Sequence, residues 1–85
     1  MEMRLTKHAQ DKMRLFELSE DEILKGIEYP ELVCEDVDKG STIYIFRRDR
    51  KLYTIVVKKE AIITIYRTDE KRLSSRIRRG RWNCY

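Results

Sequence analysis

One histidine, a set of tyrosines and a surplus of arginines are the side chains of this sequence with chemistry to offer near neutral pH. His8 is the only histidine. An imidazole is the one side chain whose ordinary pKa lets it take up or release a proton between about pH 5 and 8. It falls in Leu5-Thr6-Lys7-His8-Ala9, where Thr6 can cap a helix and His8 would sit in the first turn. The positive end of a helix dipole disfavours a second positive charge and biases the ring toward its neutral form. A neutral imidazole can act as a general base. The plainer role for His8 is to support a helix start, and for Lys7 to be a solvated cation.

The arginines fall at the ends of strand-like segments. Arg47 and Arg48 close one, and Arg67 follows Tyr66 at the close of another. In an antiparallel meander the end of one strand lies beside the start of the next, so Arg47 should approach Leu52-Tyr53, with Tyr66 and Arg67 near the same edge. Charged strand ends that merely discourage edge pairing are the alternative. Tyr44, Tyr53 and Tyr66 are the aromatics best suited to stack a base or donate a phenolic proton. Farther on, Arg72, Arg76 and Arg79 share one helix face by their i, i+4, i+7 spacing.

This inventory suits cleavage of RNA by attack of its own 2′-hydroxyl. The reaction needs a base for the hydroxyl, cations for the phosphorane and an acid for the leaving oxygen. It needs no metal. The expected catalytic set is His8 as base or acid, Arg67 on phosphate, and Tyr53 or Tyr66 to position or protonate the scissile group. Lys7, Arg47, Arg48, Arg72, Arg76 and Arg79 are the expected nucleic-acid-binding set. No hydrolase elbow, glycine-rich phosphate loop or Cys-His pairing is present to suggest acyl transfer or nucleotide hydrolysis. Cys34 and Cys84 lack metal-ligand spacing, so neither a metal nor a cofactor is expected; reduced thiols are the default, with a disulfide as the alternative.

The elements that must position these residues follow from local patterns. Ala9, Met13 and Phe16 form the buried stripe of a first helix after Thr6. Ser19-Glu20-Asp21-Glu22 is a capping box, with Leu18 and Ile23 at the staple positions. The helix it opens should bury Ile23, Leu24 and Ile27 and stop near Tyr29-Pro30. Glu31 to Asp36 predicts a short edge strand, followed by a loop over Asp38-Lys39-Gly40-Ser41. Thr42–Arg48, Leu52–Lys59 and Ala61–Thr68 are rich in Ile, Val, Tyr and Thr and predict a meander joined by short turns. Apolar side chains at both parities imply that parts of both sheet faces are covered. Asp69 and Glu70 open a third helix with Leu73 and Ile77 as its apolar pair, and Gly80 closes it. Trp82 and Tyr85 have no assigned place: they either pack back on the sheet or stay exposed. The expected fold is α+β, an N-terminal helical hairpin on a three- to four-stranded antiparallel meander. Its body is 1–68, and 69–85 forms a basic C-terminal helix and tail of the same domain.

The chain has 85 residues, which supports one modest core, and a partner chain or second copy would add buried surface. It shows neither a signal-peptide pattern nor an apolar run of membrane-spanning length, which predicts a cytoplasmic protein. Charged residues make up 40% of the sequence, and Gln10 and Asn83 are its only amides, a balance that suits a heat-adapted host. Charge is segregated. Residues 1–66 hold twelve basic and thirteen acidic side chains, whereas 67–85 hold seven basic against two acidic. A near-neutral body with a basic end suits a polyanion or an acidic protein partner.

Thr6-Lys7-His8-Ala9 with Met13, Leu18-Ser19 with Glu22-Ile23, Tyr29-Pro30-Glu31 with Glu35-Asp36, and the closing Ile63-Thr64-Ile65-Tyr66 together resemble a group of small prokaryotic domains. That group is similar in layout to the RelE/ParE toxin superfamily. The resemblance covers about residues 5–68 and implies a RelE-like fold and a toxin of a toxin–antitoxin pair. Many such toxins are metal-independent endoribonucleases and others inhibit gyrase. It places His8 on the helix-start histidine and Tyr66 on the strand-end aromatic. The Arg-Gly of the group's pattern is here Phe16-Glu17. The leading expectation is therefore a metal-independent endoribonuclease toxin that acts on RNA, on or off the ribosome, and is covered by an acidic antitoxin. The alternatives are a non-catalytic nucleic-acid-binding module and a protein-interaction domain with an acidic partner.

Overall fold

Thr6 and Ser19 cap the first two helices, as their spacing predicts. In a computed structural model of the chain, which describes residues 3–85, helix α1 runs Lys7–Phe16 and the Thr6 hydroxyl accepts from Ala9 N–H at 3.2 Å. The same hydroxyl donates to the Ile62 carbonyl at 2.8 Å. One threonine thus starts the helix and fastens it to the sheet. Helix α2, Glu20–Glu28, opens on the complete capping box: Ser19 N–H donates to Glu22 at 2.9 Å, and Glu22 N–H to Ser19 Oγ at 3.1 Å. It ends at Tyr29, before the proline that cannot continue it.

The strands preceding and following these helices are β1 (Arg4–Leu5), β2 (Leu32–Asp36), β3 (Thr42–Arg48), β4 (Lys51–Lys58) and β5 (Ala61–Thr68). Helix α3 (Glu70–Arg78) and strand β6 (Trp82–Cys84) complete the chain. The expected fold is corrected here. The sheet is six-stranded and mixed, in the order β1-β5-β4-β3-β2-β6, not a three- to four-stranded antiparallel meander. The predicted strands are present, but β1 adds to β5 in parallel and β6 adds to β2 in antiparallel fashion. Nor do α1 and α2 form a hairpin laid on the sheet as a unit. α1 packs on β5, and α2 packs on β3 and β4.

Apolar residues at both parities do cover both faces. On one face Ala9, Leu18 and Ile23 pack with Phe46, Tyr53, Ile55, Ile62 and Ile65. On the other, Cys34, Ile43, Ile45, Leu52 and Trp82 form a second cluster, against which Leu73 of α3 and Tyr66 rest. A bulge between Val56 and Val57 adjusts the β4–β5 register. The basic end is therefore part of the packed body. Gly80, at φ 75°, turns the chain after α3. Arg81 N–H then closes on the Arg76 carbonyl at 3.0 Å, a helix-end bond that delivers Trp82 to β6.

The default of free thiols is also corrected: Cys34 and Cys84 are joined as a disulfide. They lie opposite one another in the β2–β6 pairing. That register brings together two cysteines 50 residues apart and cannot be read from their spacing.

Candidate phosphate and nucleic-acid interface

The β3, β4 and β5 ends meet as the meander predicts. Arg47 pairs with Leu52, and Leu52 with Thr68; one rung inward, Phe46 pairs with Tyr53 and Tyr53 with Arg67. A shallow pocket of about 330 Å³ opens at this corner, lined by Arg47, Arg50, Lys51 and Arg67 together with Leu52, Thr68, Asp69 and Glu70. Arg50 is at the tip of the β3–β4 turn, where Asp49 and Arg50 both take positive φ (50° and 67°). Such a two-residue turn reverses the chain tightly and sets Arg50 and Lys51 beside Arg47. Sequence reasoning read Asp49-Arg50-Lys51 only as a turn. The register of its neighbours was the signal that both cations line the pocket beside Arg47.

The four cations are not equivalent. Arg47 donates to Glu31 through Nε at 2.8 Å and Nη2 at 3.3 Å, and lies 3.6 Å from Glu70. The Glu31 hydrogen bond, with the charges of Glu31 and Glu70, pushes its pKa further up and keeps it cationic. Arg50, Lys51 and Arg67 have no carboxylate partner among the described residues. Cross-strand partners share a face, so Lys51, opposite Arg48, and Arg67, opposite Tyr53, are on the α1–α2 side of the sheet, whereas Arg47, opposite Leu52, is on the α3 side. The cations flank the open end of the sheet, where such groups can bind phosphate.

The other expected site residues are dispersed. Tyr53 is 5% exposed and belongs to the core, stacked on Phe46 at 5.5 Å and edge-on to Phe16 at 5.7 Å. Its ring shares the face of its cross-strand partner Arg67, but Phe16 and Phe46 cover it and leave no access to a substrate. Arg48 donates to the Phe16 and Glu17 carbonyls (3.3 and 2.9 Å) and pairs with Glu22 at 3.0 Å. It fastens the α1 end to the sheet. Tyr66 is half-buried, with the Arg76 guanidinium 5.8 Å from its ring centre. Burial pushes its phenol pKa up, partly offset by Arg76. Arg76 also lies 4.8 Å over Trp82, so it is a packing element. Arg72 and Arg79 remain exposed, and Arg72 pairs with Asp69 at 3.6 Å.

His8 and Lys7 are exposed at the start of α1. Thr6 holds that start to the Ile62 and Ile63 carbonyls, near the beginning of β5, whereas Arg67 is near the end of that strand. At about 3.3 Å per residue, Ile62 and Arg67 are roughly 16 Å apart. The structure therefore brings Arg47 and Arg67 to one end of the sheet from opposite faces and adds Arg50 and Lys51 there, whereas His8 is remote and Tyr53, beside Arg67, is sealed in the core.

No family model matches the chain, and neither a curated protein nor a solved structure gives a significant match. Among the described residues no helix is long and apolar enough to cross a membrane.

Proposed function

We propose that this protein is an RNA-binding domain that holds a backbone phosphate in the pocket at the β3–β4–β5 corner. The observation that carries the reading is that Arg47, Arg50, Lys51 and Arg67 line one concavity at the end of the sheet. Guanidinium groups suit phosphate because their donors form a fork that matches its oxygens. The basic excess of residues 67–85 supports the same reading, since Arg72 and Arg79 extend positive charge away from the pocket.

Catalysis is a second reading, favoured by the exposed His8 at the α1 start. It keeps the toxin-like role that the resemblance implies, a metal-independent endoribonuclease with an acidic antitoxin as partner. It requires RNA to extend from the corner pocket to His8, roughly 16 Å along β5. One experiment separates the two. Labelled single-stranded RNA is incubated in EDTA with the parent protein, His8→Ala and Arg67→Ala, and both retention and cleavage are followed. The binding reading expects retention by the parent and His8→Ala, weaker retention by Arg67→Ala, and intact RNA throughout. Cleavage by the parent that is lost in His8→Ala would establish the enzymatic reading instead. Absence of retention and cleavage together would sink both.

A further inference from the structure

Strand β2 first meets β3 where Leu32 pairs with Ile45. Phe46, Arg47 and Arg48 run past that point, so this length of β3 has an open side next to the last turns of α2. Gly26 sets how closely α2 approaches. A Cβ there would come within 2.8 Å of the Phe46 ring and 3.2 Å of Ile55, so glycine lets the helix backbone settle against the aromatic. What remains beside them is a recess of about 350 Å³.

Its walls combine two chemistries. Phe46 and Tyr29 supply aromatic surface, and Lys25, Arg47 and Arg48 supply positive charge. Phe46 is nearly covered, whereas Tyr29 is 76% exposed at the end of α2. Tyr29 is also well held. Pro30 restricts the backbone that follows it, and Glu31 is tied to Arg47 by the 2.8 and 3.3 Å hydrogen bonds. The one acidic wall, Glu22, is occupied: it accepts from Ser19 N–H and pairs with Arg48. Arg47 lines both this recess and the corner pocket.

We propose that the recess receives one base of a single-stranded RNA whose neighbouring phosphate lies in the corner pocket, with Tyr29 as the stacking face. The inference rests on the phosphate reading and extends it from backbone to base. An aromatic ring beside a cationic backbone track is how single strands are held without base-pair readout, because every base offers a flat π face. The recess is at the lower end of the size range of small-molecule sites, a fit to a flat ring. Arg47, shared between recess and pocket, supplies the continuity that places base and phosphate on the same strand.

The test uses two short oligoribonucleotides of equal length, one intact and one abasic throughout its central stretch, so that both carry the same phosphates. Binding of each is measured to the parent chain, Tyr29→Ala, Tyr29→Phe and Arg67→Ala. Stacking contributes about 1–3 kcal/mol per base, so Tyr29→Ala should weaken binding of the intact strand by about five- to hundredfold and leave the abasic strand unchanged. Tyr29→Phe should bind like the parent, and Arg67→Ala should weaken both strands. If Tyr29→Ala binds the intact strand as well as the parent while Arg67→Ala loses both, the base recess is wrong and the phosphate pocket stands. Equal loss of both strands in Tyr29→Ala would also overturn the stacking role. If the parent binds neither strand, the phosphate reading fails and the recess falls with it. Tyr29 is on the surface, and an unchanged thermal melt for Tyr29→Ala confirms that folding is intact.

Discussion

Arg47 shows why residue types alone could not define the site. Its sequence position next to Arg48 and its place opposite Leu52 were both legible, and the structure keeps both. Two carboxylates, Glu31 and Glu70, already share its charge. Glu70 is the looser of them, at 3.6 Å and 80% exposed. A phosphate entering the corner pocket must compete with it. Glu70→Gln is therefore expected to tighten RNA binding about two- to fivefold, in line with the modest worth of exposed ion pairs, as measured by titration at low salt. Tyr53 illustrates the opposite case. Leu52 and Tyr53 face opposite ways and both are buried, because each sheet face is covered there by distant elements that the sequence of one strand does not state. Glu22 carries a pH prediction. The hydrogen bond from Ser19 N–H, against the opposing effect of burial and with lesser help from the Ser19 side chain and the charge of Arg48, holds its carboxyl below its ordinary value of 4.5. A depressed folded-state pKa means the group adds stability above its unfolded pKa and loses that contribution as pH falls through the folded one. Thermal melts should accordingly show a step of destabilisation on acidification below about pH 4.5 that is smaller in Glu22→Gln.

At the scale of elements, the capped helices and the β-rich segments were readable because their signals are local. The capping box, the stop before Pro30 and the turn at Gly80 all involve residues a few positions apart. Strands β1 and β6 were not readable, since Arg4–Leu5 and Trp82–Cys84 are too short to carry a period and exist only by pairing with distant strands. The same reason hid the Cys34–Cys84 disulfide. Closing a loop of that length typically stabilises by about 2–4 kcal/mol, so a Cys34→Ser, Cys84→Ser double variant should melt at a clearly lower temperature than the oxidised parent. An unchanged melt would mean that β6 does not depend on the bond. The two tight turns give a paired prediction. Lys59 and Glu60 take φ of 51° and 61° with no glycine, as do Asp49 and Arg50. Replacing Glu60 by Gly should raise stability by about 1 kcal/mol. Arg50→Gly should stabilise to a similar degree yet weaken RNA binding, because it removes a wall of the pocket. Equal RNA binding in both glycine variants would remove Arg50 from the site.

For the whole molecule, the topology turns a charge gradient along the sequence into a distribution over one body. Residues 69–85 read as a basic helix and tail of the same domain. In the fold, α3 rests on the second sheet face through Leu73, and Arg76 is spent on Tyr66 and Trp82. Arg72, Arg78, Arg79 and Arg81 stay exposed on α3 and beyond it, in addition to the cations of the corner pocket. That arrangement puts the corner pocket at the end of β3–β5 away from His8, which is why binding rather than cleavage is proposed.

The corner pocket is tested most directly by the salt dependence of single-stranded RNA binding by the parent chain and by an Arg67→Ala, Lys51→Ala double variant. Each lost phosphate contact should flatten the log–log slope by about 0.7. The expected result is measurable binding by the parent, weaker binding by the variant, and a slope shallower by about 1.4 if each residue holds one phosphate. Identical affinities and slopes for the two proteins, with both folded, would contradict the corner pocket as the site of RNA binding.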